Sequence, residues 1–330
     1  MGIFMKQDSI IESNDRKNGS MEEKRLHDRR IVLYLAFTFI LTFAIEIFVI
    51  MPLAGDVDIK KAYMAQLLVT GVMFIPALGV LFTRLLTKEG FQIKHLMLSF
   101  NLKGNLKYYG LAWFGFAFLI LFGAVLYFVI FPKQFDPGLG YARAMLEAQT
   151  KAAGTELAGE QIKMVVSIQI FTGILLAPFV NFLNCFGEEW GWRGYLLPKL
   201  LKRFKVIPAL LLEGIIWGLW HTPVIIMGHN YGVGYWGFPY LGIFAMCIFC
   251  TVLGIILSYL TIKTKSCIPA VIGHGTMNGL ASAGIMCTSL ENPYNVFLGP
   301  MPVGLIGGAG FIFAAAGLLY LLQKEENAEK

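Results

Sequence analysis

The stretch 241–260, LGIFAMCIFCTVLGIILSYL, contains no Asp, Glu, Lys, Arg or His and decides the fold class. A helix of about 20 apolar residues spans the hydrocarbon core of a bilayer. Working outward from this stretch, the same criterion finds seven further segments. The sequence therefore predicts an all-α polytopic integral membrane protein with eight transmembrane helices, the others lying near 31–51, 63–86, 108–131, 165–187, 207–226, 268–286 and 305–322.

The overall composition agrees with this prediction. Of the 330 residues, 56% are hydrophobic and only 15% are charged, whereas soluble domains contain about 25% charged residues. The 27 Phe and the long apolar runs exclude a disordered chain. A net charge of +6 would suit a nucleic-acid partner, but the basic residues flank apolar segments. Basic flanks set membrane topology, so we expect the lipid bilayer, and no nucleic acid, as the partner.

The distribution of Lys and Arg predicts the orientation. With the N-terminus inside, the inner segments hold 21 of these residues and the outer loops hold 6. This is the bias expected when both termini are cytoplasmic, and we predict a multi-pass protein of the cell membrane. The predicted divisions are a polar cytoplasmic tail at 1–30, the eight-helix domain at 31–322 and a short cytoplasmic tail at 323–330.

The five Cys residues do not form a disulfide pattern, because their number is odd and they lie within or beside apolar segments. Cys247 and Cys250 have CxxC spacing inside a predicted span. We interpret them as small buried apolar residues.

Ionisable side chains are costly in hydrocarbon, so each one in a predicted span needs a reason. The fourth segment ends with Glu188, Glu189 and Arg193. Glu189 and Arg193 are four residues apart and can pair on a helix. Adjacent carboxylates point about 100° apart, which leaves Glu188 facing the bundle interior as a candidate general base. An ordinary charge cluster at a helix end is the alternative interpretation.

Two further segments each carry a polar stripe. Glu213, Trp217 and His221 follow one another at steps of four in the fifth segment. His274 and Asn278, also four apart, lie in the seventh segment. With the carboxylate pair, these residues supply a base, groups to hold water or a metal, and a donor for an oxyanion.

The depths of the two His residues are a difficulty for a shared site. Counted from the cytoplasmic ends, His274 lies about 9 Å deep and His221 about 21 Å deep, at 1.5 Å per residue. The two residues can share a water only if helix tilt or a later start of the fifth helix brings them level. Glu46, near the outer end of the first segment, is interpreted as a snorkelling or hydrogen-bonded residue rather than a site residue.

The three stripes resemble the motifs of the CPBP family, the CAAX-protease and bacteriocin-processing intramembrane proteases. The family pattern is EExxxR, then FxxxH, then HxxxN, on successive helices. Order and spacing match over residues 165–286, which are then the catalytic core. Trp217 replaces the usual Phe, and we expect little effect beyond pocket shape. The matching residues are Glu188, Glu189, Arg193, His221, His274 and Asn278.

The resemblance implies an intramembrane endopeptidase that hydrolyses a peptide bond of a membrane-associated peptide or protein. It implies that Glu188 activates water, with support from Glu189 and Arg193, while both His residues hold the water and Asn278 stabilises the oxyanion. The family name also implies a metal, with Zn²⁺ held by His221, His274 and Glu188, although no HExxH motif is present and a metal-free Glu/His site stays open.

The role implied by the resemblance is CAAX-type cleavage, bacteriocin or peptide processing, or self-immunity. Two alternatives remain. One is a polytopic transporter that uses the buried polar residues for protons or cations. The other is a non-catalytic immunity factor on the same fold.

Overall fold

The chain is helical throughout the part that the computed structural model describes. The description covers the backbone of residues 2–56, 58–92, 95–151 and 159–328, and the side chains from Met21 onward in those ranges except residues 59 and 149–151. Within these ranges, Phe135 and Thr288 form one isolated antiparallel bridge and no strand is present. The all-α prediction is therefore confirmed.

Fifteen α-helices form the described part of the fold, three of them continued by π-helical turns. The turns at Glu46–Ile50, Leu111–Gly115 and Trp192–Leu196 join α1 to α2, α5 to α6 and α9 to α10. The helices are α1 Gly2–Ile45, α2 Met51–Ala54, α3 Ile59–Val72, α4 Ile75–Leu86, α5 Leu106–Gly110, α6 Phe116–Ile130, α7 Gly140–Lys151, α8 Gly159–Val180, α9 Phe182–Gly191, α10 Leu197–Arg203, α11 Val206–Trp220, α12 Thr222–Ile226, α13 Tyr240–Thr264, α14 Ile268–Leu280 and α15 Ala309–Ala328.

Four of these stretches are long and apolar enough to cross a membrane: 21–54, 106–130, 159–180 and 240–264. The α3–α4 pair is a fifth such segment if its 41° bend counts as a break within one span. The predicted fifth, seventh and eighth segments contain α11, α14 and α15, which are not among these stretches. The count of eight crossings and the location of the termini therefore remain predictions.

The fourth predicted span is broken where the sequence suggested a continuous helix. Pro178 lies inside α8 and cannot donate to the carbonyl of Ile174 four residues earlier. The indole Nε1 of Trp113 donates to that carbonyl instead, at 2.6 Å. α8 then ends at Val180, and Asn181 donates to the carbonyls of Ala177 and Gly275. The side chain of Asn181 at this break tethers the α8–α9 segment to α14.

Glycines allow the helices that carry the motifs to pack at backbone distance. A Cβ on Gly214 of α11 would collide with Thr251 of α13. A Cβ on Gly275 of α14 would come 3.1 Å from Pro178, and one on Gly279 would collide with Ala177. Small residues permit such close approach in membrane bundles. α11 is thereby held against α13, and α14 against α8.

Candidate active site

Three segments converge on the candidate site. α9 and the π-helical turn after it carry Glu188, Glu189 and Arg193, all at most 2% exposed. α11 contributes Trp217 and is followed directly by His221, while α14 contributes His274. The structure brings these residues into one connected network, as the motif spacing predicted.

Arg193 is the centre of this network. Its Nη1 donates to Oε1 of Glu189 at 2.9 Å, which confirms the predicted pairing. Its Nε lies 3.4 Å from Oε1 of Glu213, an ion pair without hydrogen-bond geometry. The guanidinium carbon is 4.1 Å from the centroid of the Trp217 ring. The buried cation is therefore held by two carboxylates and an aromatic face.

Glu189 also holds His274. Its Oε1 lies 2.8 Å from Nδ1 of His274. Because a carboxylate oxygen accepts, Nδ1 carries the proton in this contact and Nε2 is left without it in the neutral ring. His274 is therefore fixed in one tautomer, with Nε2 available to water or substrate.

Trp217 links Glu188 to both His residues. Its Nε1 donates to Oε2 of Glu188 at 2.8 Å. Its ring lies edge-on to the imidazoles of His221 and His274, with centroid distances of 5.8 and 5.4 Å. The expectation that Trp at this position affects little beyond pocket shape is therefore wrong. The indole N–H binds the candidate base, which a Phe ring cannot do.

His221 reaches the site from the end of α11. Its Nδ1 donates to the carbonyl of Trp217 at 2.8 Å, so Nε2 is again the free nitrogen. Contact of both rings with Trp217 places the two imidazoles within about 11 Å of each other. Since α11 begins at Val206, close to the predicted start, a later start of the fifth helix does not bring the two imidazoles level. Their sharing of one water stays a prediction.

Asn278 lies at the exposed edge of the site. It is one turn after His274 on α14, and its Nδ2 lies 3.6 Å from Sγ of Cys185. Cys185 is one turn before Glu188 on α9. The amide is thus placed beside α9 near the candidate base, with access from outside the bundle.

Comparison with known proteins bears on the segment that contains this network. Residues 170–280 match the family described as Rce1-like, Type II CAAX prenyl endopeptidase Rce1-like. This segment is similar to that family. The resemblance drawn from the three motifs is thereby confirmed, and all six motif residues lie within the matched range.

A curated relative shows the same similarity. The chain is 36% identical over 103 residues to CAAX prenyl protease 2 of Methanococcus maripaludis. The match covers 30% of this chain and 37% of that relative's length. The chain therefore spans well under half of that relative's length.

The predicted zinc ligands do not assemble into a metal site. Among the described residues, no group of three or more His, Cys, Asp or Glu side chains is arranged to hold a metal ion. A catalytic zinc site needs three protein ligands and an open position. The arrangement does not fit a three-ligand zinc centre.

Two further buried carboxylates lie outside the motifs, and one of them, Glu213, belongs to the same network. Glu213, noted in the sequence only as part of a stripe, accepts from Ser258 at 2.7 Å and faces Arg193. Glu46 is 3% exposed and its Oε2 has no hydrogen-bond partner among the described residues. This burial contradicts the snorkelling interpretation, while a hydrogen bond to a neighbouring helix stays a prediction. A buried carboxylate in an apolar helix was the signal for Glu213, but its partners lie on other parts of the fold.

We expect Glu213→Gln to destabilise the fold by about 3 kcal/mol, because it removes one counter-charge of a buried cation. The Gln side chain keeps an acceptor for Ser258, so the charge is the main change. The free energy of unfolding in detergent measures the effect. Glu160→Gln, which removes an exposed ion pair with Lys163, is the control and should leave stability unchanged. Equal stability of the two variants would contradict a structural role for Glu213.

Proposed function

We propose that the protein is an intramembrane endopeptidase that hydrolyses a peptide bond of a membrane-associated peptide or protein at or near the membrane. One observation carries the proposal. The buried carboxylate of Glu188 accepts from the Trp217 indole, whose ring contacts the imidazoles of His221 and His274, inside the segment that matches the Rce1-like family. A base and oriented hydrogen-bonding groups at one point are the requirements for activating water.

Glu188 acts as the general base in this mechanism. The Trp217 indole engages Oε2, and Oε1 accepts a proton from a water molecule. The oxygen of that water then forms a bond to the scissile carbonyl carbon. When the tetrahedral intermediate collapses, the C–N bond breaks and the proton on Glu188 passes to the leaving amine nitrogen. The step is balanced without any co-reactant.

His221 and His274 hold the attacking water. The free Nε2 of each ring accepts a hydrogen from water, because each Nδ1 is committed to a backbone or carboxylate oxygen. Glu189 and Arg193 do not touch the reacting atoms in this scheme. They position His274 and keep a fixed charge balance around Glu188.

Asn278 supplies the oxyanion donor. Its amide is at the exposed edge, where a peptide can reach it from the membrane, and its present contact to a thiol is weak. In the tetrahedral intermediate the amide N–H donates to the developing oxyanion. The physiological role belongs to the CAAX-type, bacteriocin- or peptide-processing, or self-immunity functions that the resemblance implies.

We also propose that the chain crosses the cell membrane eight times, with both termini cytoplasmic. Contacts between loops support this arrangement, because segments assigned to one side touch one another. At the proposed cytoplasmic end, the backbone N–H of Cys267 donates to Met97 and Lys263 pairs with Glu325. At the other end, the backbone N–H of Asp136 donates to the carbonyl of Cys287. The proposed crossings then connect the segments of the cytoplasmic group with those of the opposite group.

Replacement of Glu188 by Gln or Ala should abolish cleavage, with a loss of at least about 100-fold, because the general base is removed. The Gln variant preserves shape and an acceptor for Trp217. The measurement is mass-spectrometric mapping of peptide termini in membranes from cells that carry each variant, where uncleaved precursor should accumulate. Glu291→Gln in an exposed loop is the matched control. Wild-type product levels in a folded Glu188→Gln protein would refute the mechanism.

Epitope tags placed after Glu291 and after Lys330 test the topology. With eight crossings, antibody should reach the first tag in intact cells and the second only after permeabilisation. The reason is that the excess of Lys and Arg retains the proposed inner segments in the cytoplasm. A C-terminal tag accessible in intact cells would overturn the assignment.

Elemental analysis of protein purified without chelator tests the zinc prediction. From the geometry of the site we expect clearly substoichiometric zinc, since no three-ligand group is formed within the described residues. Stoichiometric zinc that disappears in His274→Ala would instead show that the site rearranges around a metal.

A further inference from the structure

A second polar cavity, of about 350 Å³, lies apart from the candidate active site. It opens between the C-terminal end of α4, the segment after it and the α9–α10 helix. Its polar lining consists of Arg84, Glu89, His95, Tyr195, Lys199 and Lys202. None of these side chains belongs to the three motifs.

Arg84 is the most buried cation of this cavity, at 4% exposed. Its two Nη atoms donate to the carbonyls of Gly90 and His95, at 2.7 and 2.9 Å. Its Nε is buried and has no hydrogen-bond partner among the described residues. The guanidinium carbon lies 5.4 Å from the Tyr195 ring centroid. A preoriented guanidinium thus keeps one donor unused.

The one carboxylate in the lining is already satisfied. Glu89 accepts from Lys199 at 2.6 Å and from Tyr195 at 2.8 Å, and Arg30 approaches it at 3.6 Å. Burial alone would raise the pKa of Glu89, but the bonds from Lys199 and Tyr195 and the charge of Arg84 hold that pKa below its ordinary value. Glu89 therefore stays ionised and balances one cation, Lys199.

The remaining charge in the cavity is positive. Because Lys199 neutralises the charge of Glu89, Arg84 and the exposed Lys202 have no counter-charge in the lining. No described residue forms an ion pair with Lys202. Guanidinium and ammonium groups at close quarters are suited to oxyanions, phosphate above all. Basic pockets at the cytoplasmic ends of transmembrane helices also bind anionic lipid head groups.

We propose that this cavity binds a phosphate-type oxyanion, supplied either as free phosphate or as the head group of an anionic phospholipid. The occupant would contact the face of the π-helical turn Trp192–Leu196 that carries Tyr195. Arg193 lies on the same turn and faces the candidate active site. Binding therefore stabilises the segment that holds Arg193. The proposal is independent of the proteolytic function.

Thermal unfolding of the full chain in detergent tests the free-anion source. Inorganic phosphate should raise the melting temperature saturably, while potassium chloride at equal ionic strength should not. Lys202→Gln should weaken the apparent phosphate affinity about fivefold, the effect of one removed surface charge. Lys205→Gln removes an equally exposed charge three residues away that does not line the cavity, and it should leave the affinity unchanged.

Reconstitution in nanodiscs tests the lipid source. Phosphatidylglycerol or phosphatidic acid should raise the melting temperature of the wild-type protein relative to phosphatidylcholine, and Lys202→Gln should reduce this gain more than Lys205→Gln. Stabilisation by phosphate in detergent assigns a free oxyanion, and stabilisation by anionic lipid alone assigns a head group. No saturable effect from either source, or equal losses in the two variants, would overturn the proposal.

Discussion

The buried guanidinium of Arg193 is the interaction on which the candidate site depends. A cation with no exposed surface in an apolar bundle is tolerated only when counter-charges and an aromatic face surround it. Glu189, Glu213 and Trp217 provide that surrounding from α9 and α11. Each partner is then fixed by Arg193 and has a second bond of its own. Glu189 orients His274, and Trp217 donates to the candidate base. The guanidinium of Arg193 therefore stabilises the fold and also positions the side chains of the candidate site.

This arrangement requires short distances between the helix backbones, and small residues at the contacts permit those distances. A Cβ on Gly254 of α13 would come 3.0 Å from Nη2 of Arg193, so the glycine leaves space for the guanidinium. A Cβ on Gly187, directly before Glu188, would meet the backbone of Met73 and Phe74 at 2.6 and 2.8 Å. In lipid, association relies on such packing rather than on the hydrophobic effect. The glycines beside the acidic residues are therefore part of the mechanism that buries them.

The sequence was sufficient for features that depend on local periodicity and insufficient for those that depend on distant helices. Steps of four predicted the Glu189–Arg193 pair, and apolar length predicted the all-α membrane class. The partners of Glu213 could not be predicted, because Ser258 is 45 residues away on another helix. The break after Pro178 could not be predicted either, because the indole that donates to the freed carbonyl belongs to Trp113. Long-range hydrogen bonds of this kind produce no periodic pattern in the sequence.

Trp217 shows how a small departure from a motif changes the chemistry of a site. Phe and Trp both offer an aromatic face to Arg193, so the cation alone does not distinguish them. The indole adds one N–H, and that N–H is bound to Oε2 of Glu188. A donor on one carboxylate oxygen fixes the rotation of the group. It also stabilises the ionised form, which is the form that accepts a proton. A residue that the motif treats as an aromatic spacer therefore orients the base of the proposed reaction.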